Sequence, residues 1–167
     1  MQKLSLGLIA AGLIGLAATP GLAAPSSQSK AFASNAAQSG LAEVQEGQLA
    51  QQKASSPQVR RFGQTLEQDH SAANQRLQEI AQQEKITLPA QPSHKQRSEL
   101  KKLRRLSGQQ FDRAFAQEEV KDHQKAIAQF EREARSGKDA TMKTFARDTL
   151  PVLRKHLQIA QSLASNR

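Results

Sequence analysis

The stretch from Pro57 to Glu84, PQVRRFGQTLEQDHSAANQRLQEIAQQE, decides the fold. Val59, Phe62, Leu66, His70, Ala73, Leu77 and Ile80 recur at spacings of three and four, which places them on one face of a helix. Ser56 is placed to cap that helix, and Pro57 suits its first position, where a missing N–H costs nothing. The segment Thr87-Leu88-Pro89-Ala90-Gln91-Pro92 then reads as an extended connection. One member of the face is out of place. His70 is ionisable where Leu or Ala would be ordinary, and Asp69 lies beside it at the stripe's edge.

The same pattern recurs on both sides. A first long helix over about Lys30 to Ala54 turns Phe32, Ala36, Ser39, Glu43, Glu46 and Ala50 inward, and Ser55-Ser56-Pro57 ends it. A short helix from about Ser93 to Leu106 has one apolar edge, Leu100, Leu103 and Leu106, expected to pack across the bundle's end. Ser107 and Gln110 have the spacing of a capping box for the next helix. That third long helix, about Gly108 to Arg135, carries Phe111, Phe115, Glu119, Asp122, Ala126 and Phe130, with His123 flanking. Asp112 falls in its first turn, where negative charge is favourable. Gly137 suits the left-handed position past a helix end, and Asp139 the next cap. The fourth long helix, about Ala140 to Ala164, carries Met142, Phe145, Leu150, Leu153, His156 and Leu157; Pro151 inside it predicts a kink or one-turn break near Asp148 to Leu150. Short links join helices one to two and three to four, which makes antiparallel hairpins. The expected fold is all-α: an antiparallel four-helix bundle with an additional short helix between the second and third long helices.

Composition agrees. The 167 residues include no Cys, Trp or Tyr and only 6 Phe, so a sheet core lacks its usual material. Without Cys there are no disulfides, thiolate metal sites, cysteine nucleophiles or lipoprotein anchor. Met1 to Ala23 reads as a signal peptide: Lys3, a small apolar run from Leu4 to Ala18, then Thr19-Pro20-Gly21 and small residues for cleavage after Ala23. Residues 24–30 read as a flexible stub and 31–165 as the bundle, in a periplasmic or secreted protein with no retained membrane span. The net charge is +9, and removing the leader, whose one charged side chain is Lys3, leaves +8. Such a charge favours anionic envelope surfaces. The cations are scattered without interleaved aromatics, so no nucleic-acid partner is expected.

Each long stripe is interrupted by ionisable side chains: Glu43 and Glu46; His70 with Asp69; Glu119 and Asp122 with His123; and His156. All lie near the midpoints of their helices, within about 6 Å of a common plane at the helical rise per residue. An unpaired buried carboxylate costs several kcal/mol, so these groups must pair, hold a metal or face a wet cavity. Carboxylate oxygens with imidazole nitrogens suit a divalent iron, zinc, manganese or copper ion. The candidate ligands are Glu43, Glu46, His70, Glu119, His123 and His156, with Asp69 and Asp122 orienting them from behind. A metal-free polar network that fixes helix register is the alternative. His94 reads as a surface residue. Glu67 stands three residues before His70 but off the stripe, so that Glu-x-x-His spacing is accidental.

These residues carry a resemblance. Leu41-Ala42-Glu43-Val44-Gln45-Glu46-Gly47, Asp69-His70-Ser71-Ala72-Ala73-Asn74, Leu106-Ser107-Gly108 with Phe111-Asp112-Arg113, Val120-Lys121-Asp122-His123, and Leu150-Pro151-Val152-Leu153 followed by His156-Leu157 together resemble the bacterial "domain of unknown function 4142" family. The resemblance covers about Phe32 to Leu163. It implies a ferritin-like bundle and an envelope location, without an established activity. Ferritin-like di-iron enzymes carry two Glu-x-x-His motifs; here Val120 and Leu153 stand three residues before His123 and His156. That departure argues against a dinuclear oxidative-stress enzyme. The leading expectation is a non-catalytic envelope protein that binds a divalent metal; the others are that enzyme and a basic module for cell wall or anionic lipid.

Overall fold

The computed structural model describes residues 25–165; the expected leader and its cleavage point lie outside them. Five helices follow in order: α1 (Ser27–Lys53), α2 (Pro57–Gln83), α3 (His94–Leu103), α4 (Gly108–Ser136) and α5 (Ala140–Ser165). No strand occurs among the described residues, and the chain is all-α.

Four long helices make the bundle, in the order α1, α2, α5, α4 around its axis. Cross-helix bonds set the directions. Ser29, early in α1, donates to Glu133, late in α4, at 2.8 Å. Arg76, late in α2, pairs with Asp148, early in α5, at 2.6 Å. Every neighbouring pair is therefore antiparallel, and the one long connection, from α2 to α4, is the crossover of a ferritin-like bundle.

Capping follows the sequence in part. Ser56 Oγ accepts from Val59 N above Pro57, and Asp139 Oδ1 accepts from Met142 N at 2.8 Å. Four local expectations need correction. Ser107 makes no side-chain cap; the capping box is Ser93 with Gln96, at the start of α3. Gly137 has φ −57, and left-handed backbone occurs instead at Lys85 and Gly108. Glycine is needed at 137 for space, since a Cβ there would lie 2.5 Å from Glu133 O. Of the two outcomes expected at Pro151, the one-turn break is absent: α5 runs on through it, and the proline lies on the exposed face. Finally, α1 begins at Ser27, so Ser27 to Lys30 of the expected stub are helical. The reason is local: Ser26 Oγ caps Ser29 N, and the buried Ser29 hydroxyl is tied to Glu133.

Two further placements differ. Short helix α3 lies along the flank, in the groove between α1 and α4, rather than across the end. Gln96 reaches Ser39 and Arg104 reaches Gln45, so α3 runs alongside α1 while Leu100 and Leu103 turn inward. Asp112, in the first turn of α4, is spent across the bundle: it accepts from the Ser55 and Ser56 amides at the α1–α2 turn, at 3.1 and 2.9 Å.

The apolar core comes in two clusters. One packs Phe32, Leu77, Phe130, Phe145 and Leu153. The other packs Leu49, Phe62, Leu66, Phe111 and Phe115. Apart from Glu133, which accepts from Ser29 near the end of α4, the buried ionisable residues fall between the two: 43 and 46 on α1, 70 on α2, 119 and 123 on α4, 156 on α5. The core is two hydrophobic plugs with a polar layer between them.

Candidate metal centre

The side chains of the polar layer are buried. Glu43 is 5 % exposed, Glu46 3 %, His70 9 %, Glu119 and His123 1 %, and His156 0 %. All six expected ligands are therefore inward, from four different helices.

Three imidazoles form its heart. The ring centroids of His70, His123 and His156 lie 5.3 to 5.8 Å apart pairwise. Phe62 stands edge-on to His156 at 5.9 Å and closes one side with an apolar wall. His123 Nε2 and His156 Nδ1 face each other at 3.3 Å.

Their far nitrogens fix the protons. His123 Nδ1 lies 3.0 Å from the backbone carbonyl of Glu119. A carbonyl only accepts, so Nδ1 carries the proton and Nε2 is bare in the neutral ring. His156 Nε2 lies 2.9 Å from Asp69 Oδ2, whose side chain is 45 % exposed. The carboxylate accepts as well, which leaves His156 Nδ1 bare. Two lone pairs thus converge with no proton between them. Burial holds the His70 imidazole well below the usual histidine range, and the His123 and His156 rings push it the same way. Burial also lowers His156, against the pull of Asp69. An extra proton on either ring is disfavoured.

Two carboxyls abut the imidazoles. Glu43 and Glu119 hydrogen-bond to each other. Burial raises both carboxyls well above the carboxylate range; the Glu119 charge raises Glu43 further, and that of Glu46 raises Glu119. Glu119 Oε2 is 3.3 Å from His123 Nδ1, and Glu43 Oε2 is 3.9 Å from His70 Nε2. Glu43 Oε2, His70 Nε2 and Glu119 Oε2 are buried with no hydrogen-bond partner. Orphaned buried polar atoms are rare and call for a missing partner.

The ligand expectations divide. His70, His123 and His156 form one compact triad, and Glu43, Glu119 and His123 form a second that shares His123. Filling both would need His123 to ligate through both nitrogens, yet Nδ1 is committed to the Glu119 carbonyl. Glu46 joins neither triad; it lies buried beside Glu43 and is raised by burial and by the Glu43 charge. Asp69 Oδ2 stands 2.9 Å from His156 Nε2, outside both triads. Asp122 orients no histidine; it stands half-buried with Glu99 and Glu118 in a third, outer group. Burial and the Glu118 and Glu99 charges raise its carboxyl. His94 is exposed, and Glu67 accepts from Gln48 and Gln51, far from the layer in role. Glu99 and Glu118 were not singled out by sequence. The one signal was that Glu118 precedes an inward glutamate, which alone distinguishes nothing.

The sequence profile of a family described as a domain of unknown function, DUF4142, matches residues 15–163. In fold the chain is similar to the crystal structure of a DUF305 fragment from Deinococcus radiodurans, with a TM-score of 0.75 and 13 % identity over 86 % of this chain and 99 % of that one. It is similar also to a DUF305 protein from Streptomyces coelicolor, described as a candidate secreted protein, with a TM-score of 0.69 and 14 % identity over 81 % and 91 %. At such identities the likeness is one of fold alone. No curated protein matches the chain.

Proposed function

The chain belongs to the DUF4142 family, and on that premise we propose that it binds one divalent transition-metal ion through His70, His123 and His156, with the Glu43 carboxylate 3.9 Å from His70 Nε2. The observation that carries this reading is the pair of bare nitrogens, His123 Nε2 and His156 Nδ1, 3.3 Å apart. Tetrahedral ligands with bonds of about 2.0–2.1 Å to imidazole stand roughly 3.3–3.4 Å from one another, and their ring centroids about 5.2 Å. The pairwise centroid distances of 5.3 to 5.8 Å are close to that value. The outer hydrogen bonds support it as well. Metal-bound histidines hand their other N–H to a carboxylate or a backbone carbonyl, the roles of Asp69 and Glu119 O here. Three imidazoles favour zinc, copper or iron over the harder cations that prefer oxygen.

A metal-free register device is the competing account. It leaves His70 Nε2, Glu43 Oε2 and Glu119 Oε2 without a protein partner, to be satisfied by water alone. Zinc titrated calorimetrically into chelator-treated protein separates the two. The metal reading expects one equivalent bound, and loss of that binding in His156→Ala. No heat of binding and no retained zinc would overturn it.

We infer export from the leader-like first 23 residues. Two findings support it: the similar Streptomyces coelicolor protein is described as a candidate secreted one, and among the described residues no helix is long and apolar enough to cross a membrane. N-terminal sequencing of protein from the native host is expected to begin at Ala24; a chain still starting at Met1 would contradict export by cleavage.

A further inference from the structure

A cavity of about 220 Å³ runs from the surface to the polar layer, between α1, α3 and α4, with side chains of α2 and α5 also in its wall. At roughly 30 Å³ per water it has room for several, so a cation can travel in it partly hydrated. Its rim holds the exposed Lys95 and Lys125. Half-buried Glu99 and Asp122 line it further in, and Glu43, Glu46 and His70 line its inner part.

We propose that this cavity is the route by which a divalent cation reaches the imidazoles, with Glu99 and Asp122 as its outer station and Glu46 as the transit ligand between that station and Glu43. The proposal rests on the metal-binding reading above and adds the path and the residue that carries the ion along it.

Two independent observations support it. First, Glu43 Oε2, on a side chain 6 % exposed and lining the cavity, has no hydrogen-bond partner. His70 Nε2 stands 3.9 Å from it, beyond hydrogen-bond reach. Second, Glu46 is 3 % exposed and lies in the field of Glu43, Asp122, Glu118 and Glu99 together. No ion pair compensates it among the described residues. The oxygens of Glu99, Glu118 and Asp122 come within 4.8 Å of one another, close enough to share one cation. The carboxyls thus form a file from rim to histidines. The positive groups sit at its outer end: Lys95 pairs with Glu99 at 2.7 Å, Lys121 lies 3.7 Å from Glu118, and Lys125 faces Asp122. No cation stands beside Glu46 or Glu43 inside. An arriving divalent ion exchanges water for carboxylate at the outer station, loses more at Glu46, and ends on nitrogen. Glu46 then has no resident role, because the imidazoles hold the ion.

Stopped-flow loading of Co²⁺, read by its visible absorption, tests the route at fixed pH and two ionic strengths. Glu46→Gln and Asp122→Asn are expected to slow association about tenfold or more. They should slow dissociation in parallel, so that the equilibrium constant moves far less than either rate. Lys125→Glu, a surface change that leaves the core intact, should speed loading at low salt and lose that gain at high salt. Wild-type rates in all three variants would overturn the route while leaving the metal centre standing. Loss of affinity in Glu46→Gln without a change in association rate would overturn it too, because Glu46 would then be a resident ligand. Wild-type protein that takes up no Co²⁺ would overturn the metal centre and the route together.

Discussion

At the scale of single residues, the proton count of the histidines carries the account. Asp69 and the Glu119 carbonyl each claim one imidazole proton, and the nitrogens left bare point at each other. Asp69 is half exposed, so Asp69→Asn should fold normally while losing its preference for an N–H at His156 Nε2. We expect zinc affinity to fall by about 10- to 100-fold with stoichiometry unchanged; an unaltered titration would show that Asp69 does not orient the ring. Glu46 gives a pH test. Its folded carboxyl is raised by burial, while in the unfolded chain it titrates near its ordinary value of about 4.3. Between those two values the folded state holds the proton and the unfolded state does not, so stability falls as pH rises. The apo Glu46→Gln variant lacks that loss. Its advantage over wild type in urea melts should therefore grow from pH 5 toward pH 8, and a constant difference would contradict the buried, proton-retaining state. At this scale the six inward residues were legible in sequence because ionisable residues on apolar stripes are conspicuous. Their division was not. Nothing in the spacing separates Glu43, which meets His70, from Glu46 one turn on, and the Glu119 carbonyl is a backbone atom invisible to side-chain reasoning.

At the scale of elements, the helices announced themselves by period and by punctuation. Ser55-Ser56-Pro57, Asp139 and the proline-rich link after α2 all act where sequence placed them. Two of the failures share a cause, which is that a local motif was outbid by a contact from another helix. The start of α1 is fixed by Glu133 of α4, and Asp112 serves the α1–α2 turn rather than its own helix. The closeness of α1 to α2 was also unreadable. A Cβ on Gly47 would lie 2.4 Å from Gly63 O, and one on Gly63 would lie 2.7 Å from Gly47 O and 2.6 Å from Ala50 Cβ. Alanine ordinarily strengthens a helix relative to glycine, by about 1 kcal/mol. Here the crowding reverses the sign. Gly63→Ala should destabilise the protein by about 1–3 kcal/mol in chemical denaturation; a gain in stability would mean that the two backbones are farther apart than described. Because His70 and Glu43 sit on these two helices, their separation of 3.9 Å depends on that close approach.

At the scale of the whole molecule, two apolar clusters hold the ends of the bundle and free its middle for polar work. That division explains how so many ionisable groups are tolerated. The plugs supply the burial, and the layer between them is stabilised by its hydrogen bonds to Asp69 and the Glu119 carbonyl and, on our reading, by a metal. The antiparallel plan was legible because link lengths dictate it. The flank position of α3 was not, since its apolar edge suits either the end or the side of a bundle; the structure puts it over the α1–α4 groove, where Glu99 meets the cavity. Everything functional in this account turns on imidazoles from three helices sharing one ion. X-ray absorption at the zinc edge, on protein loaded with a single equivalent and passed through a desalting column, reads that directly. The account predicts a first shell of nitrogen and oxygen at about 2.0–2.1 Å, with the multiple scattering of three imidazole rings. Zinc lost on the column, or retained in a shell of oxygen with no imidazole signature, would contradict it.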